Sequence, residues 1–229
     1  MGPGRPPLPR DSGGPFGSRI TTGTADIALT FDDGPDEVFT PRVLAALRRY
    51  RLRATFCVVG VNVVRFPALV RQIAADGHTL CNHSWSHDVA LGSRSYAAIG
   101  ADLARTTSAI RAAAPGAMVS YYRQPGGAWT AAVVDVAQEQ GMTPLHWAVD
   151  SNDWRRPSAS RITATVCRGT RAGSIVLLHD SGGDRRATVT ALESVLPDLT
   201  GRFTATALPP GIPIPYRYGL QPPALRQTP

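Results

Sequence analysis

Five short clusters of side chains capable of acid–base or metal chemistry each follow directly on an apolar run. Asp32-Asp33-Gly34-Pro35 follows A-L-T-F. Two adjacent carboxylates ahead of a Gly-Pro turn repel one another unless a cation or a proton relieves them, although the same four residues also make an ordinary turn. His83-Ser84-Trp85-Ser86-His87 carries two imidazoles four positions apart, which share a face if the segment turns helically. Two neutral imidazoles and a carboxylate leave coordination positions open for water and substrate, as catalytic rather than structural metal sites do.

The third cluster, Arg123-Gln124-Pro125-Gly126-Gly127, combines a guanidinium fork suited to a carboxylate with glycines that let backbone N–H groups approach a ligand. Asp150-Ser151-Asn152-Asp153-Trp154 follows H-W-A-V, and His179-Asp180 follows I-V-L-L. His179 is the natural general acid of the set, because its ordinary pKa lies near neutrality.

The elements that must position these clusters alternate between short apolar strands and amphipathic helices. Strands are expected over 27–31, 54–59, 79–82, 119–122, 145–149 and 175–178, with a further one over 202–207. Helices are expected over 41–50, 66–76, 95–114, 131–140, 158–171 and 188–196, with Pro early in the first two and Ser opening the fifth. This pattern predicts an α/β fold, an irregular (β/α) barrel of about seven strands in one domain, with chemistry at the C-terminal strand ends.

In order and spacing the clusters resemble the polysaccharide deacetylase family, also called NodB-homology or carbohydrate esterase family 4. Its motifs T-F-D-D-G-P, H-S/T-x-x-H, R-x-P-x-G, D-x-x-D-W and L-x-H all occur here in that order between Thr30 and His179, and the resemblance spans residues 24–207. It implies that Asp33, His83 and His87 hold one divalent ion, zinc first and cobalt or nickel as alternatives. It further implies Asp32 as general base, His179 as general acid, Arg123 steadying Asp32, and Asp153 orienting His179. Gly126 would offer a backbone donor to the oxyanion, and Trp154 with Leu177 would enclose the acetyl methyl group. Many members carry Tyr where this chain has Gly126, so Trp85 or Trp129 is expected to supply any sugar-stacking surface. Ser84 is expected to brace the metal loop rather than act as a nucleophile, and His78, His146 and Trp147 read as core or supporting groups.

The resemblance implies hydrolysis of N- or O-acetyl groups on a glycan such as chitin, peptidoglycan or acetylxylan, with a small-molecule amide or ester deacetylase as the alternative. A catalytically silent carbohydrate-binding domain is the rival from another class. The 229 residues carry a formal charge of +7, all 24 basic residues being Arg. Anionic surroundings are therefore favoured, but the fingerprints of a nucleic-acid binder are missing and no partner of that kind is expected. A monomer is expected.

Residues 1–23 are Pro/Gly-rich and read as a flexible lead-in, and residues 208–229 as a Pro-rich tail. Neither they nor the domain between contains an apolar stretch long enough to span a bilayer. Secretion or wall association, through an export signal outside this sequence, is the expected location; a cytoplasmic one is the alternative. Cys57 and Cys81 fall in neighbouring expected strands, where a disulfide would accord with export.

Overall fold

The computed structural model describes residues 13–210. Seven parallel strands form one curled sheet in the order β5-β4-β3-β2-β1-β7-β6. They are β1 (Ala28–Asp32), β2 (Thr55–Val58), β3 (Thr79–Asn82), β4 (Tyr121–Tyr122), β5 (Thr143–Pro144), β6 (Val149–Asp150) and β7 (Ile175–His179). Around them lie α1 (Phe39–Arg49), α2 (Gly60–Arg65), α3 (Pro67–Ala75), α4 (Tyr96–Ala113), α5 (Ala131–Glu139), α6 (Ala159–Gly169) and α7 (Arg186–Arg202). The irregular single-domain (β/α) barrel expected from the sequence is the fold observed.

The central strands are buried on both faces, which explains why they read as near-continuous apolar runs. Leu29, Phe31, Phe56, Val58, Leu80, Val176 and Leu178 point outward into the large core shared with the helices. Alternate residues point inward, where Ala28, Cys57, Cys81, Tyr121, Leu145, Ile175 and Leu208 form a second cluster inside the curl. Cys57 and Cys81 are register partners on β2 and β3 and form a disulfide within it. Helix starts follow the sequence: Ser95, Thr130 and Ser158 each accept a backbone N–H three residues on, capping α4, α5 and α6.

Three expectations differ from the structure. No single strand forms over 145–149: β5 ends at Pro144 and β6 begins at Val149, because the run between them crosses the open seam of the barrel, where Leu145 N–H still bonds β4 at Tyr122 and Ala148 N–H already bonds β7 at Ile175. The last helix runs past Pro197 to Arg202, with Pro197 on the exposed side. There the carbonyl it leaves unpaired, that of Glu193, can be hydrated. Residues 202–207 contribute only an isolated bridge between Ile27 and Ala205.

The ends of the domain also differ from their composition. Arg19–Thr22 fills the lower part of the seam, with Arg19 paired to Leu145, Ile20 O accepting Ile175 N–H, and Thr22 N–H reaching Gly173 O. Those residues are barrel wall although their sequence reads as lead-in. At the other end Leu208 plugs the barrel floor, its backbone bonded to the Thr55 and Thr79 hydroxyls. The rest of the tail beyond residue 210, like residues 1–12, lies outside the described residues.

Candidate active site and metal centre

The inward-facing positions at the C-terminal strand ends are polar: Asp32 ends β1, His83 follows β3, Arg123 follows β4 and His179 ends β7. Asp32 and His179 are register partners across β1 and β7. Arg123 is fully buried inside the barrel, where Nη1 donates to Asp32 Oδ1 at 2.6 Å and to Thr30 Oγ1 at 2.9 Å. Nε and Nη2 donate to the carbonyls of Leu145 and His146. A buried guanidinium is stable only with its donors satisfied, and those two carbonyls come from the seam crossing.

Asp33 leaves the strand with φ of 76°, turning its side chain away from that of Asp32 and toward the two imidazoles. His83 Nε2 and His87 Nε2 lie 3.4 and 3.2 Å from Asp33 Oδ1. His83 Nδ1 donates to Arg123 O at 2.8 Å, which fixes the tautomer and leaves Nε2 as an acceptor aimed at Asp33. Among the described residues, buried Asp33 Oδ1 has no hydrogen-bond partner. The three donor atoms all lie within 4.8 Å of one another. Two ligands each about 2.0–2.1 Å from one tetrahedral ion lie roughly 3.3–3.4 Å apart, so the spacing suits a shared divalent cation. Burial alone would raise the Asp33 carboxyl; with no metal bound, imidazoles carrying a proton on Nε2 would instead hold it well below the ordinary carboxylate range.

The expectation that residues 83–87 turn helically is not met. The segment is an irregular loop in which Ser84 and His87 have φ of 63° and 59°, and these two left-handed residues bring the rings together at 5.1 Å. Three left-handed non-glycine residues, Asp33, Ser84 and His87, thus lie in one small site, and each such conformation costs on the order of 1 kcal/mol or more. The surroundings hold them: Asn82 Oδ1 accepts Ser84 N–H, Asp102 Oδ1 accepts Trp85 N–H, and Asn62 Nδ2 donates to Asp33 O. Ser84 braces the loop through its backbone, since its buried hydroxyl has no partner among the described residues.

Across the opening, His179 Nδ1 pairs with Asp153 Oδ1 at 2.6 Å, leaving Nε2 for a substrate. Asp153 is buried and also accepts His179 N–H and the Thr188 hydroxyl, while Arg185 donates to its carbonyl. Burial works to lower the His179 pKa, but the hydrogen bond and charge of Asp153, with Asp33 and Asp32 beyond, lift it to about 9. The Asp153 turn is bracketed by left-handed Asn152 and Arg156.

The other expected residues fall around this opening. Leu177 is buried two residues before His179 on the same inward face, and Trp154 is 45% exposed on the rim directly after Asp153. Gly126 has φ of 61° in the turn after Arg123, and a Cβ there would lie 3.2 Å from Val89. Neither Trp85 nor Trp129 offers a free platform: Arg105 lies 3.5 Å over the Trp85 ring, and Trp129 is buried with its N–H on His146 Nδ1. His78 accepts Ala54 N–H, as a core histidine would. Sequence reasoning missed Thr30, Asn62, Asn82, Asp102, Arg185 and Thr188, whose roles depend on contacts between distant segments. Only Asn82, on the strand leading into the first His, carried a local signal.

A family model described as polysaccharide deacetylase matches residues 19–145, more than half of the chain. The chain belongs to the polysaccharide deacetylase family. It is a carbohydrate deacetylase of that family, and the Asp33, His83 and His87 cluster is consistent with the family's dependence on a metal. It is 38% identical over 79% of its length to a chitooligosaccharide deacetylase from Bradyrhizobium sp., 87% of which is covered. A peptidoglycan-N-acetylglucosamine deacetylase from Bacillus cereus is 39% identical over 76% of this chain and 81% of its own. Among solved structures, a family 4 acetyl xylan esterase from Clostridium thermocellum in complex with a cobalt ion superposes with a TM-score of 0.74 at 34% identity, over 80% of this chain and 87% of that one.

Proposed function

We propose that this deacetylase removes the N-acetyl group from N-acetylglucosamine units of a wall or chitin-type glycan, with zinc held by Asp33, His83 and His87. The observation that carries this reading is one opening with a three-donor metal cluster on one side and a buried His–Asp pair on the other. Curated relatives of both glycan types support the amide substrate.

When bound, a divalent ion polarises the acetyl carbonyl and makes water acidic enough to react near neutrality. Asp32 Oδ1 is tied to Arg123, while Oδ2 faces the metal side 3.7 Å from His83 Nε2. That oxygen takes the proton from the attacking water as the new C–O bond forms. His179 Nε2 delivers a proton to the nitrogen as the C–N bond breaks, releasing acetate and a free amine. Asp153 holds the ring in the required tautomer, and the Gly126 backbone N–H stabilises charge developing on the carbonyl oxygen. Leu177 and Trp154 exclude water around the methyl group. Acid–base steps of this type typically contribute about 10² to 10⁴ in rate each.

Arg155 stacks on Trp154 at 4.5 Å, and both Arg155 and Arg156 are exposed at the rim. Fixed cations beside the opening favour an anionic glycan, such as peptidoglycan with its peptide carboxylates, over neutral chitin. The buried Cys57–Cys81 disulfide supports function outside the reducing cytoplasm.

Acetate release from chitooligosaccharide, peptidoglycan and acetylxylan, measured with metal content, tests the reading. About one zinc per chain with release from the two amide glycans is expected. Release from acetylxylan alone would make the chain an esterase, and release only from small acetamides would move the substrate to a small molecule.

A further inference from the structure

Asp180, directly after His179, has no part in the chemistry above. It is fully buried, yet among the described residues only one of its carboxylate oxygens has a hydrogen bond, accepting from the Thr40 hydroxyl, while Oδ1 has no partner there. Both oxygens press on Gly34: a Cβ built there would lie 2.5 and 2.6 Å from them. Gly34 does not have a positive φ, so its backbone conformation does not demand glycine. The carboxylate behind it does.

The contacts continue around the loop. Thr40, near the start of α1, accepts Asp36 N–H at 2.8 Å while donating to Asp180. Asp180 N–H in turn donates to Asp32 O at 3.2 Å. The Asp33-Gly34-Pro35 segment is therefore gripped at both ends by one residue of β7's end, at Asp32 directly and at Asp36 through Thr40. An ordinary loop would not need a buried, half-satisfied acid beneath it, since an unpaired buried oxygen is costly. Asp33 itself holds a left-handed conformation in this segment, so its carboxylate points at the imidazoles only while the segment stays in place.

We propose that Asp180, through Thr40 and Gly34, is a positioning residue that fixes the Asp33 loop for metal binding and couples it to the strand carrying His179. This inference rests on the metal-site reading above. It predicts a loss of metal affinity that exceeds any loss of folding stability, because outer partners of metal ligands typically contribute about 10- to 100-fold in affinity.

The test is zinc affinity of the intact chain, read by competition with a chromogenic chelator, alongside thermal unfolding of the metal-free protein. Thr40→Val keeps the side-chain shape and removes the hydroxyl; it should weaken zinc binding roughly 10-fold or more while the metal-free protein still unfolds cooperatively. Thr40→Ser should restore binding to near the wild-type value, and Asp180→Ala should weaken it at least as much as Thr40→Val. Wild-type affinity in Thr40→Val or in folded Asp180→Ala would overturn the inference, as would failure of Thr40→Ser to recover. If Asp180→Ala does not fold, the Thr40 pair decides alone. A wild-type protein that binds no zinc would instead sink the metal reading, a result distinguishable from all of these.

Discussion

Two buried carboxylates, Asp32 and Asp153, lie close to the strand ends of β1 and β7, each held by a cationic partner at 2.6 Å. They differ in what that partner can do. Asp32 is paired with a guanidinium, which keeps its proton throughout the pH range in which proteins stay folded. Asp153 is paired with an imidazole, which can release one. The first pair fixes a carboxylate with one oxygen free, as a base requires; the second stores a proton on the partner, as an acid requires. In the proposed mechanism the same interaction thus serves opposite roles, and the difference lies in the partner rather than in the carboxylate.

Replacing the reacting groups should break this division most sharply. Asp32→Asn and His179→Ala should each lower kcat by about 10² to 10⁴. Both should keep bound zinc, whereas His83→Ala should lose it, and metal content separates these cases. A variant of Asp32 that released acetate at the wild-type rate would remove it from the role of base.

Arg123→Met tests the fixed pair. It strands the Asp32 carboxylate beside an apolar side chain and leaves two seam carbonyls without donors, a type of loss that typically costs about 3–5 kcal/mol. Denaturant unfolding should show most of that loss. Combining Arg123→Met with Asp32→Asn should recover part of it, because the stranded charge is gone; no recovery would mean that Arg123 acts chiefly through the seam.

A smaller effect is expected from the rim. Arg155→Ala with Arg156→Ala should reduce kcat/KM on peptidoglycan several-fold and leave neutral chitooligosaccharide nearly unchanged, with the difference vanishing at high salt. Equal losses on both substrates would remove charge as the reason for these arginines.

Much of the candidate site was legible in the sequence because its residues sit at strand ends, where an apolar run gives way abruptly to ionisable residues. Asp32, Asp33, His83, Arg123, Asp153 and His179 could all be located that way. What escaped was conformational or distant. The spacing of His83 and His87 suggested a helical turn, yet two left-handed residues do the work; His is enriched in that region but Ser is not, and residue type alone does not mark either position. The seam crossing read as one strand because its apolar content is that of a strand, and only the open edge divides it. Arg19–Thr22 looked like a loose lead-in since pairing across a seam leaves no periodicity behind. Gly34 looked like turn chemistry, and the acid that requires it lies 146 positions away.

The titrating pair also makes a prediction about stability. Burial alone would lower the His179 pKa, and Asp153 first among the acidic neighbours lifts it to about 9 against an ordinary value of 6.5. A group whose pKa is raised on folding stabilises the protein fully below its unfolded value and loses that contribution as pH climbs through its folded one. Metal-free wild type should therefore show a falling Tm from about pH 6.5 to about pH 9, beyond what its surface charges produce. In Asp153→Asn the imidazole loses its main charged partner, so this slope should flatten. The alkaline limb of kcat/KM in the zinc-loaded variant should move to lower pH in step, because the acid is then deprotonated earlier. Asp32→Asn should leave most of the Tm slope in place, since the hydrogen bond and charge of Asp153 raise His179 more than the charge of Asp32 does. A slope that flattens equally in both variants would mean that the opening titrates as one electrostatic unit, and the division between a fixed and a titrating pair would fail.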